Sequence, residues 1–165
     1  MPTHPVIDSV PKQLYLAGGW HDAVSGRRLP VDNPATGALL CEVADAGPDD
    51  AARALDAARA AQDGWARTAP RVRGEILRRA HELILARTEE LALLMTLEMG
   101  KPLAEARGEV AYAAEFFRWF AEEAVRIDGG FATSPDGRNR HLVLRQPVGP
   151  CLLITPWNFP LAMGT

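Results

Sequence analysis

The chain has 165 residues, of which 47% are hydrophobic and 24% are charged, and its formal net charge is −3. This composition is typical of a soluble globular protein with a substantial core, and it excludes global disorder. The slightly acidic balance excludes the strongly basic surface that attracts nucleic acids or anionic membranes, so we expect neither partner. The default expectation is a soluble cytoplasmic protein.

Cysteine and histidine are too sparse to indicate a disulfide framework or a metal site. The chain has two cysteines, Cys41 and Cys151, and four histidines that lie far apart. None of them has the spacing of a metal-binding motif, so we expect no metal. The first eight residues lack the basic start and apolar run of a secretion signal. Residues 146–165 are uncharged, but their four prolines exclude a continuous membrane-spanning helix.

The first 47 residues are predicted to form a small antiparallel β element. Residues 14–16 form a short strand that leads into a glycine-rich turn. Residues 33–37 (NPATG) predict a second turn, because proline fixes one backbone angle and glycine tolerates positive ones. Residues 39–44 alternate in the pattern of a half-buried strand.

Four helices are predicted between Pro48 and the glycine pair at 129–130. The first begins at Pro48, and its core-facing stripe consists of Ala51, Leu55, Ala58, Ala61 and Trp65. The second follows Pro70, and its apolar stripe consists of Val72, Ile76, Ala80, Leu83 and Ile84.

The third and fourth predicted helices are also punctuated by their end residues. Thr88 is expected to cap the third helix, which ends at Gly100. The fourth runs from Pro102 to Gly129 and carries small residues on its apolar stripe. Those small residues predict close packing against another helix.

After Gly130 the sequence returns to β character. Residues 134–137 (SPDG) predict a turn, and residues 141–145 predict an extended strand. The apolar run 151–155 (CLLIT) is typical of a strand that is buried on both faces of a parallel sheet. Such a strand needs neighbours that the chain does not encode, so we expect the front part of a larger α/β protein.

Residues 156–160 (PWNFP) follow the carboxyl end of this predicted strand, where open α/β sheets bind their ligands. The two prolines rigidify the turn and hold Asn158 in a fixed orientation. A side-chain amide held in this way can donate a hydrogen bond to a developing oxyanion. The alternative is that Asn158 only satisfies backbone groups of its own turn, as turn asparagines usually do.

Several segments, in order, resemble landmarks of the aldehyde dehydrogenase superfamily. They are residues 33–37 (NPATG), 97–102 (LEMGKP), 104–110 (AEARGEV), 146–149 (QPVG) and 154–160 (ITPWNFP). Residues 116–124 (FFRWFAEEA) are most similar to the succinate-semialdehyde dehydrogenase branch. The resemblance covers nearly the whole chain but only about the first third of a family member. It implies an α/β fold, the N-terminal portion of a Rossmann-like cofactor domain, mostly helical with small β elements.

The resemblance implies oxidation of a small aldehyde, succinate semialdehyde, to the carboxylic acid with NAD or NADP as cofactor. In the family a cysteine thiolate attacks the aldehyde, hydride passes to nicotinamide, and a glutamate activates water. By position, Asn158 resembles the side-chain oxyanion donor. Phe159 and Met163 resemble substrate-tunnel residues, for which core packing is the alternative. The segment that lines the cofactor corresponds to Ile154, Thr155, Pro156, Trp157 and Asn158.

Other family residues have no counterpart in this sequence. The nucleophilic cysteine, the base glutamate and the adenosine-ribose contacts would lie beyond Thr165, so we expect the chain alone to be inactive. Cys41 and Cys151 are expected to be small core residues without an activating base. Glu98 and Lys101 flank Gly100 and are interpreted as structural, because a helix C-terminus favours a lysine.

The resemblance divides the chain into three units. Residues 1–128 carry the N-terminal strands and helices, and residues 148–165 carry the first buried strand and the oxyanion turn. Residues 129–147 resemble the β arm through which family members form dimers or tetramers, although an ordinary surface hairpin is the alternative. For the whole chain, the alternative to an enzyme is a non-catalytic helical fragment that associates with full-length subunits.

Overall fold

The computed structural model describes residues 4–165, so the first three residues of the predicted 1–128 unit lie outside it. The described chain is mostly helical with small β elements, as predicted. In chain order the elements are α1 (Pro5–Ser9), β1 (Leu14–Leu16), β2 (Gly19–His21), β3 (Arg28–Asp32), β4 (Leu39–Ala44), α2 (Pro48–Arg67), α3 (Pro70–Ala86), α4 (Thr88–Met99), α5 (Leu103–Glu123), β5 (Gly130–Thr133), β6 (Arg140–Val143) and a 3-10 helix (Ala162–Gly164). Within the described residues the strands pair into three antiparallel two-stranded sheets, β1–β2, β3–β4 and β5–β6.

The predicted NPATG turn connects β3 to β4. The backbone N–H groups of Thr36 and Gly37 donate to the Asn33 carbonyl oxygen at 3.1 and 2.7 Å. The Asn33 side-chain oxygen accepts from the Ala35 N–H at 2.9 Å, which closes a local Asx turn. Gly37 has a φ of 68°, a conformation that glycine adopts at little cost. The turn therefore forms for the local reasons that its residues indicate.

The core lies where α4 and α5 cross. Ala92 and Met95 of α4 pack with Ala106 and Val110 of α5, and all four side chains are buried. Leu161, which follows the PWNFP segment, packs against the same cluster. The predicted close packing of the fourth helix is confirmed, because small side chains on α5 let its neighbours approach.

Only part of the apolar stripe predicted on helix α3 faces the core, where Ile84 packs against the α4–α5 cluster. Gly74 lies at the crossing of α3 and α5, where an added Cβ would be 2.8 Å from the Ala121 carbonyl oxygen. Further along, His81 Nδ1 lies 2.9 Å from the Ala114 carbonyl oxygen. The glycine permits this close approach and sets the rotation of the helix. Three residues of the predicted stripe are therefore exposed instead of core-facing, namely Val72, Ile76 and Leu83.

The stripe predicted to face the core on α2 is also exposed. Leu55 is 59% exposed and Trp65 is 45% exposed, and the stripe alanines at 51, 58 and 61 are exposed as well. The helix is held at its first turn, where the Asp50 carboxylate accepts from the Gly47 and Val24 N–H groups at 3.0 and 3.1 Å. Helical periodicity identifies an apolar face, but another element must cover that face, and none of residues 4–165 does so.

Two predicted helix boundaries are wrong. Thr88 is the first residue of α4 and not its cap, and its Oγ1 donates to the Leu85 carbonyl oxygen at 2.7 Å. Helix α5 ends at Glu123, before the glycine pair, and Gly130 begins β5 instead. The predicted end of α4 is confirmed, since Gly100 closes that helix with a φ of 81°.

Residues 151–155 do not form the predicted buried strand. Leu152 is 85% exposed and Ile154 is 89% exposed, and no strand pairs with this segment among residues 4–165. A parallel strand takes its hydrogen bonds and its burial from neighbouring strands. Without such neighbours, an apolar sequence alone does not produce the strand.

Gly74→Ala should lower the free energy of unfolding, because the added methyl group would overlap the Ala121 carbonyl oxygen. We expect a loss of about 1–3 kcal/mol from overpacking. Gly108→Ala is the matched control, since it also lies inside a helix but has open space around it. The control should be neutral or stabilising by up to ~1 kcal/mol. Urea denaturation, monitored by circular dichroism, measures the free energy of unfolding of both variants. Equal stabilisation by the two substitutions would contradict the close approach of α3 to α5 at Gly74.

Asp50 should make the stability of the chain depend on pH. Hydrogen bonds from the Gly47 and Val24 N–H groups lower the pKa of Asp50. Its stabilising contribution is therefore present above the unfolded-state pKa of about 3.9 and is lost as pH falls through the lower folded-state value.

Asp50→Asn should lower stability at neutral pH and flatten the decline in stability at acid pH. Asp49→Asn, an exposed neighbour in the same helical turn, is the control and should keep the wild-type acid dependence. Thermal unfolding between about pH 3 and pH 7 compares the three proteins. If Asp50→Asn kept the wild-type acid dependence of stability, the Asp50 carboxylate would not be the source of that dependence.

Candidate functional site

The residues predicted to line the cofactor form one exposed stretch of chain. Residues 151–156 have no regular secondary structure, a turn follows at residues 157–161, and the 3-10 helix then begins. Ile154 and Trp157 are highly exposed, and Thr155 and Pro156 between them are exposed as well. The Met163 N–H donates to the Phe159 carbonyl oxygen at 3.1 Å and closes the turn. The predicted site residues are therefore adjacent and accessible.

An ion pair with almost no solvent exposure attaches this turn to α5. Lys101 lies in the loop between α4 and α5, and its Nζ pairs with the Glu109 carboxylate. The two side chains are 9% and 1% exposed. The Lys101 Nζ also donates to the Asn158 carbonyl oxygen at 2.8 Å. Glu109 Oε1 accepts from the backbone N–H groups of Leu161 and Ala162 at 2.9 and 3.1 Å.

These contacts compensate both buried charges. A charged side chain that leaves water is tolerated when it is paired and its remaining hydrogen-bonding capacity is used. Lys101 gains a further partner in Phe159, because its Nζ lies 4.1 Å from the centre of that ring in a cation–π contact. The backbone between Asn158 and Ala162 is consequently held at both of its ends.

The Asn158 side-chain amide makes no hydrogen bond with any of residues 4–165, although the backbone of Asn158 is held. Asn158 is exposed. Lys101 and Glu109 satisfy the backbone groups of this turn, so the amide is not used for that purpose. Within residues 4–165, the amide therefore makes none of the local backbone hydrogen bonds that turn asparagines usually make.

Phe159 and Met163 are partly exposed, at 38% and 37%. Each side chain therefore keeps a face that is open to solvent. Phe159 is oriented by Lys101, and Met163 lies in the 3-10 helix. Neither residue is a fully buried core residue, and both remain candidates for a contact with substrate.

Glu109 is the residue that the sequence analysis missed. Lys101 was interpreted as structural, but its partner is Glu109 and not Glu98. Glu98 instead lies beside Leu94 and Cys41, where burial raises the pKa of its carboxyl. A signal for Glu109 was present, because it shares a helix face with Ala106 and Ala113 at spacings of three and four. A carboxylate on an apolar face must have a partner.

The two cysteines lie in different environments. Cys41 is half-buried in β4, in agreement with its predicted packing role. Cys151 is exposed, contrary to prediction, because the segment that carries it is uncovered, and its Sγ donates to the Gly149 carbonyl oxygen at 3.5 Å. Within residues 4–165, no group of three or more metal-ligating side chains is placed to hold an ion. No helix in this range is long and apolar enough to cross a membrane.

Comparison with known protein families places the chain among the aldehyde dehydrogenases. The model of the aldehyde dehydrogenase family matches residues 20–165. The chain is 68% identical over 127 residues to the succinate-semialdehyde dehydrogenase of Paenarthrobacter nicotinovorans, covering 77% of the chain and 28% of that protein. It is 45% identical over 154 residues to both the glutarate-semialdehyde dehydrogenase of Pseudomonas aeruginosa and the NADP(+) succinate-semialdehyde dehydrogenase of Escherichia coli, covering 93% of the chain and 32% of each protein.

Solved structures give the same result at the level of the fold. The succinate-semialdehyde dehydrogenase of Burkholderia pseudomallei superimposes with a TM-score of 0.89 at 46% identity, covering 97% of the chain and 33% of that structure. An NAD-dependent aldehyde dehydrogenase of Sinorhizobium meliloti gives a TM-score of 0.88 at 36% identity, covering 98% and 33%. These similarities confirm the predicted fold class. The chain spans about a third of the length of the relatives that it matches.

Proposed function

Because the chain belongs to the aldehyde dehydrogenase family, we propose that it forms part of an enzyme that oxidises succinate semialdehyde to succinate with NAD or NADP. The similarity to succinate- and glutarate-semialdehyde dehydrogenases supports this substrate class, an aldehyde that carries a carboxylate at its far end. Glutarate semialdehyde is longer by one methylene group. It is the natural competitor against which substrate preference should be measured.

One observation carries the proposal, namely that the backbone of Asn158 is held while its side-chain amide makes no hydrogen bond with any of residues 4–165. When a nucleophile attacks an aldehyde, negative charge develops on the carbonyl oxygen. An amide N–H donor that is already oriented stabilises this charge without reorganisation. We assign Asn158 this role as the oxyanion donor.

The residues before Asn158 suit contact with a nicotinamide cofactor. Ile154, Thr155, Pro156 and Trp157 are exposed in one continuous stretch, so apolar and aromatic surface is available beside the amide. When bound, NAD or NADP would accept the hydride of the aldehyde carbon. The protein segment would hold the cofactor beside Asn158 and exclude water from that face.

The exposed faces of Phe159 and Met163 would line the substrate tunnel. The contact of Lys101 with the Phe159 ring supports this role, because it would hold the ring in place as one wall of the tunnel. An aromatic ring and a thioether suit the short carbon chain of a semialdehyde. Recognition of the far carboxylate belongs to residues outside this set.

The β5–β6 hairpin supports the proposed assembly into a homo-oligomer, a dimer or a tetramer. Phe131 pairs in register with Leu142, and both side chains are exposed together with that of Val143. An exposed hairpin with apolar residues is the kind of element that pairs between subunits. A cytoplasmic setting, which keeps thiols reduced, suits the two free cysteines.

A second candidate function is a non-catalytic module that associates with full-length subunits. The exposed apolar residues of α2 and of residues 151–155 favour it, because such surface promotes association. Stable complexes between the chain and an active aldehyde dehydrogenase, without any activity contributed by the chain, would distinguish this function.

The 165-residue chain alone should show no dehydrogenase activity with succinate semialdehyde and either cofactor. Neither of its cysteines is placed as a nucleophile beside Asn158, because Cys41 packs in β4 and the Cys151 thiol bonds to Gly149. The positive control is a hybrid enzyme. It consists of this chain joined to the part of the Paenarthrobacter relative that follows the matched region. Cofactor reduction by the chain alone that is lost on thiol blocking would refute this expectation.

Asn158→Ala in the hybrid enzyme should slow hydride transfer by about 10²–10³-fold, the usual cost of losing one oxyanion donor. Substrate binding should change much less, because a ground-state carbonyl carries little charge. Asn158→Asp should be worse than alanine, since an ionised carboxylate repels the oxyanion. Pre-steady-state measurement avoids masking by product release.

The matched control is Asn139→Ala, an exposed asparagine in the hairpin turn, which should leave hydride transfer unchanged. If the rate of hydride transfer by Asn158→Ala stayed within about twofold of the parent rate, Asn158 would be a turn residue without a catalytic role.

A further inference from the structure

We infer that Lys101 and Glu109 are positioning residues that set the orientation of Asn158 by holding its backbone. The inference rests on the proposed role of Asn158 as the oxyanion donor. The ion pair holds the Asn158 carbonyl and the Leu161 N–H, whereas the side-chain amide makes no hydrogen bond within residues 4–165. The orientation of the donor is therefore determined by helix α5 and not by the turn itself.

The first attachment is at the carbonyl of Asn158 itself, and the second lies beyond Phe159, at residues 161–162. Lys101 holds the carbonyl of Asn158 at 2.8 Å. Glu109 holds the N–H groups of Leu161 and Ala162 at 2.9 and 3.1 Å. A segment held at two points that are three residues apart has little freedom to rotate relative to the helix that holds it.

The prolines of the turn cannot supply this constraint. Pro156 and Pro160 each fix their own φ and remove one N–H donor. They stiffen the turn internally, but they leave open its orientation relative to the helices. Only a contact with a distant element can set that orientation, and Lys101 and Glu109 provide such a contact from 57 and 52 residues away in sequence.

The catalytic consequence follows from the geometric demand on an oxyanion donor. Such a donor must lie within hydrogen-bond distance of the position where the charge develops. A displacement of about 1 Å in a positioned group can cost roughly 10²-fold in rate. Releasing the turn from the helix should therefore impair chemistry even when Asn158 itself is intact.

The decisive variant is the double substitution Lys101→Met/Glu109→Gln. It removes both charges together and so avoids leaving one buried charge unpaired. The glutamine oxygen can still accept from Leu161 and Ala162, whereas methionine has no donor for the Asn158 carbonyl. The matched control is Arg107→Met/Glu89→Gln, which removes an exposed ion pair of 2.7 Å between α5 and α4.

The first measurement uses the 165-residue chain and does not depend on activity. Amide hydrogen exchange, followed by mass spectrometry, should be faster over residues 156–165 in the Lys101→Met/Glu109→Gln variant than in the wild type. Exchange within α5 should be unchanged, and the control variant should match the wild type throughout. If residues 156–165 of the double variant exchanged their amide hydrogens at the wild-type rate, the inference would be overturned.

The second measurement uses the hybrid enzyme. Lys101→Met/Glu109→Gln should slow hydride transfer by roughly 10- to 100-fold with a smaller change in KM, because a displaced donor mainly affects the transition state. In the Asn158→Ala background the same double substitution should cause no further loss, because the group that it positions is already absent. The control pair should leave both backgrounds unaffected.

The outcomes separate the inference from the proposed function. A loss of similar size in both backgrounds would show that the ion pair only stabilises the fold, and it would overturn the inference while leaving Asn158 as the donor. Normal hydride transfer in Asn158→Ala alone would refute the proposed function, and the inference with it. If the double variant of the hybrid enzyme fails to fold, the single variant Lys101→Met decides by the same criterion in both backgrounds. It removes the donor to the Asn158 carbonyl and leaves Glu109 bonded to the N–H groups of Leu161 and Ala162.

Discussion

A buried ion pair between Lys101 in the α4–α5 loop and Glu109 in helix α5 attaches the PWNFP turn to the helix core. A carboxylate that is removed from water is costly unless other groups replace its hydration. Glu109 obtains those groups from Lys101 and from the N–H groups of Leu161 and Ala162. The same contacts that make the buried charge tolerable also fix the turn against the helix.

The helix core and the turn consequently depend on each other. Ala106 and Val110 place Glu109 by packing under α4, and Leu161 packs against the same cluster from the turn. The small residues at the crossing determine how near α5 lies to its neighbours. The ion pair then converts that packing into a defined position for Asn158, because it bonds to the backbone of the turn.

Many apolar side chains lie outside this core. Trp65 on α2, Leu152 and Ile154 before the turn, and Phe131 on the hairpin are all exposed. Each belongs to an element whose sequence pattern is that of a covered surface. In the proposed enzyme these faces are where other elements and other subunits would pack.

The accuracy of the sequence analysis varied with the range of the interaction involved. The NPATG turn, the helix start at Pro48 and the glycine that ends α4 were predicted correctly, because each depends on backbone preferences of a few adjacent residues. The apolar stripe of α2 and the strand at 151–155 were predicted as buried and are exposed. Burial requires a partner element, and a local pattern does not contain one.

The sequence by itself determined the four long helices, the position of the PWNFP turn, and the family resemblance that indicated Asn158. Tertiary structure alone decided which face of α3 meets α5, and that Glu109 rather than Glu98 pairs with Lys101. It also showed that the Asn158 carbonyl is held while the amide has no hydrogen-bond partner in the described part of the chain. The contacts that hold the turn join residues far apart in sequence, with separations of 57 for Lys101 and Asn158 and 52 for Glu109 and Leu161. They depend on helix rotation and on close packing at small residues, which no pattern along the chain specifies.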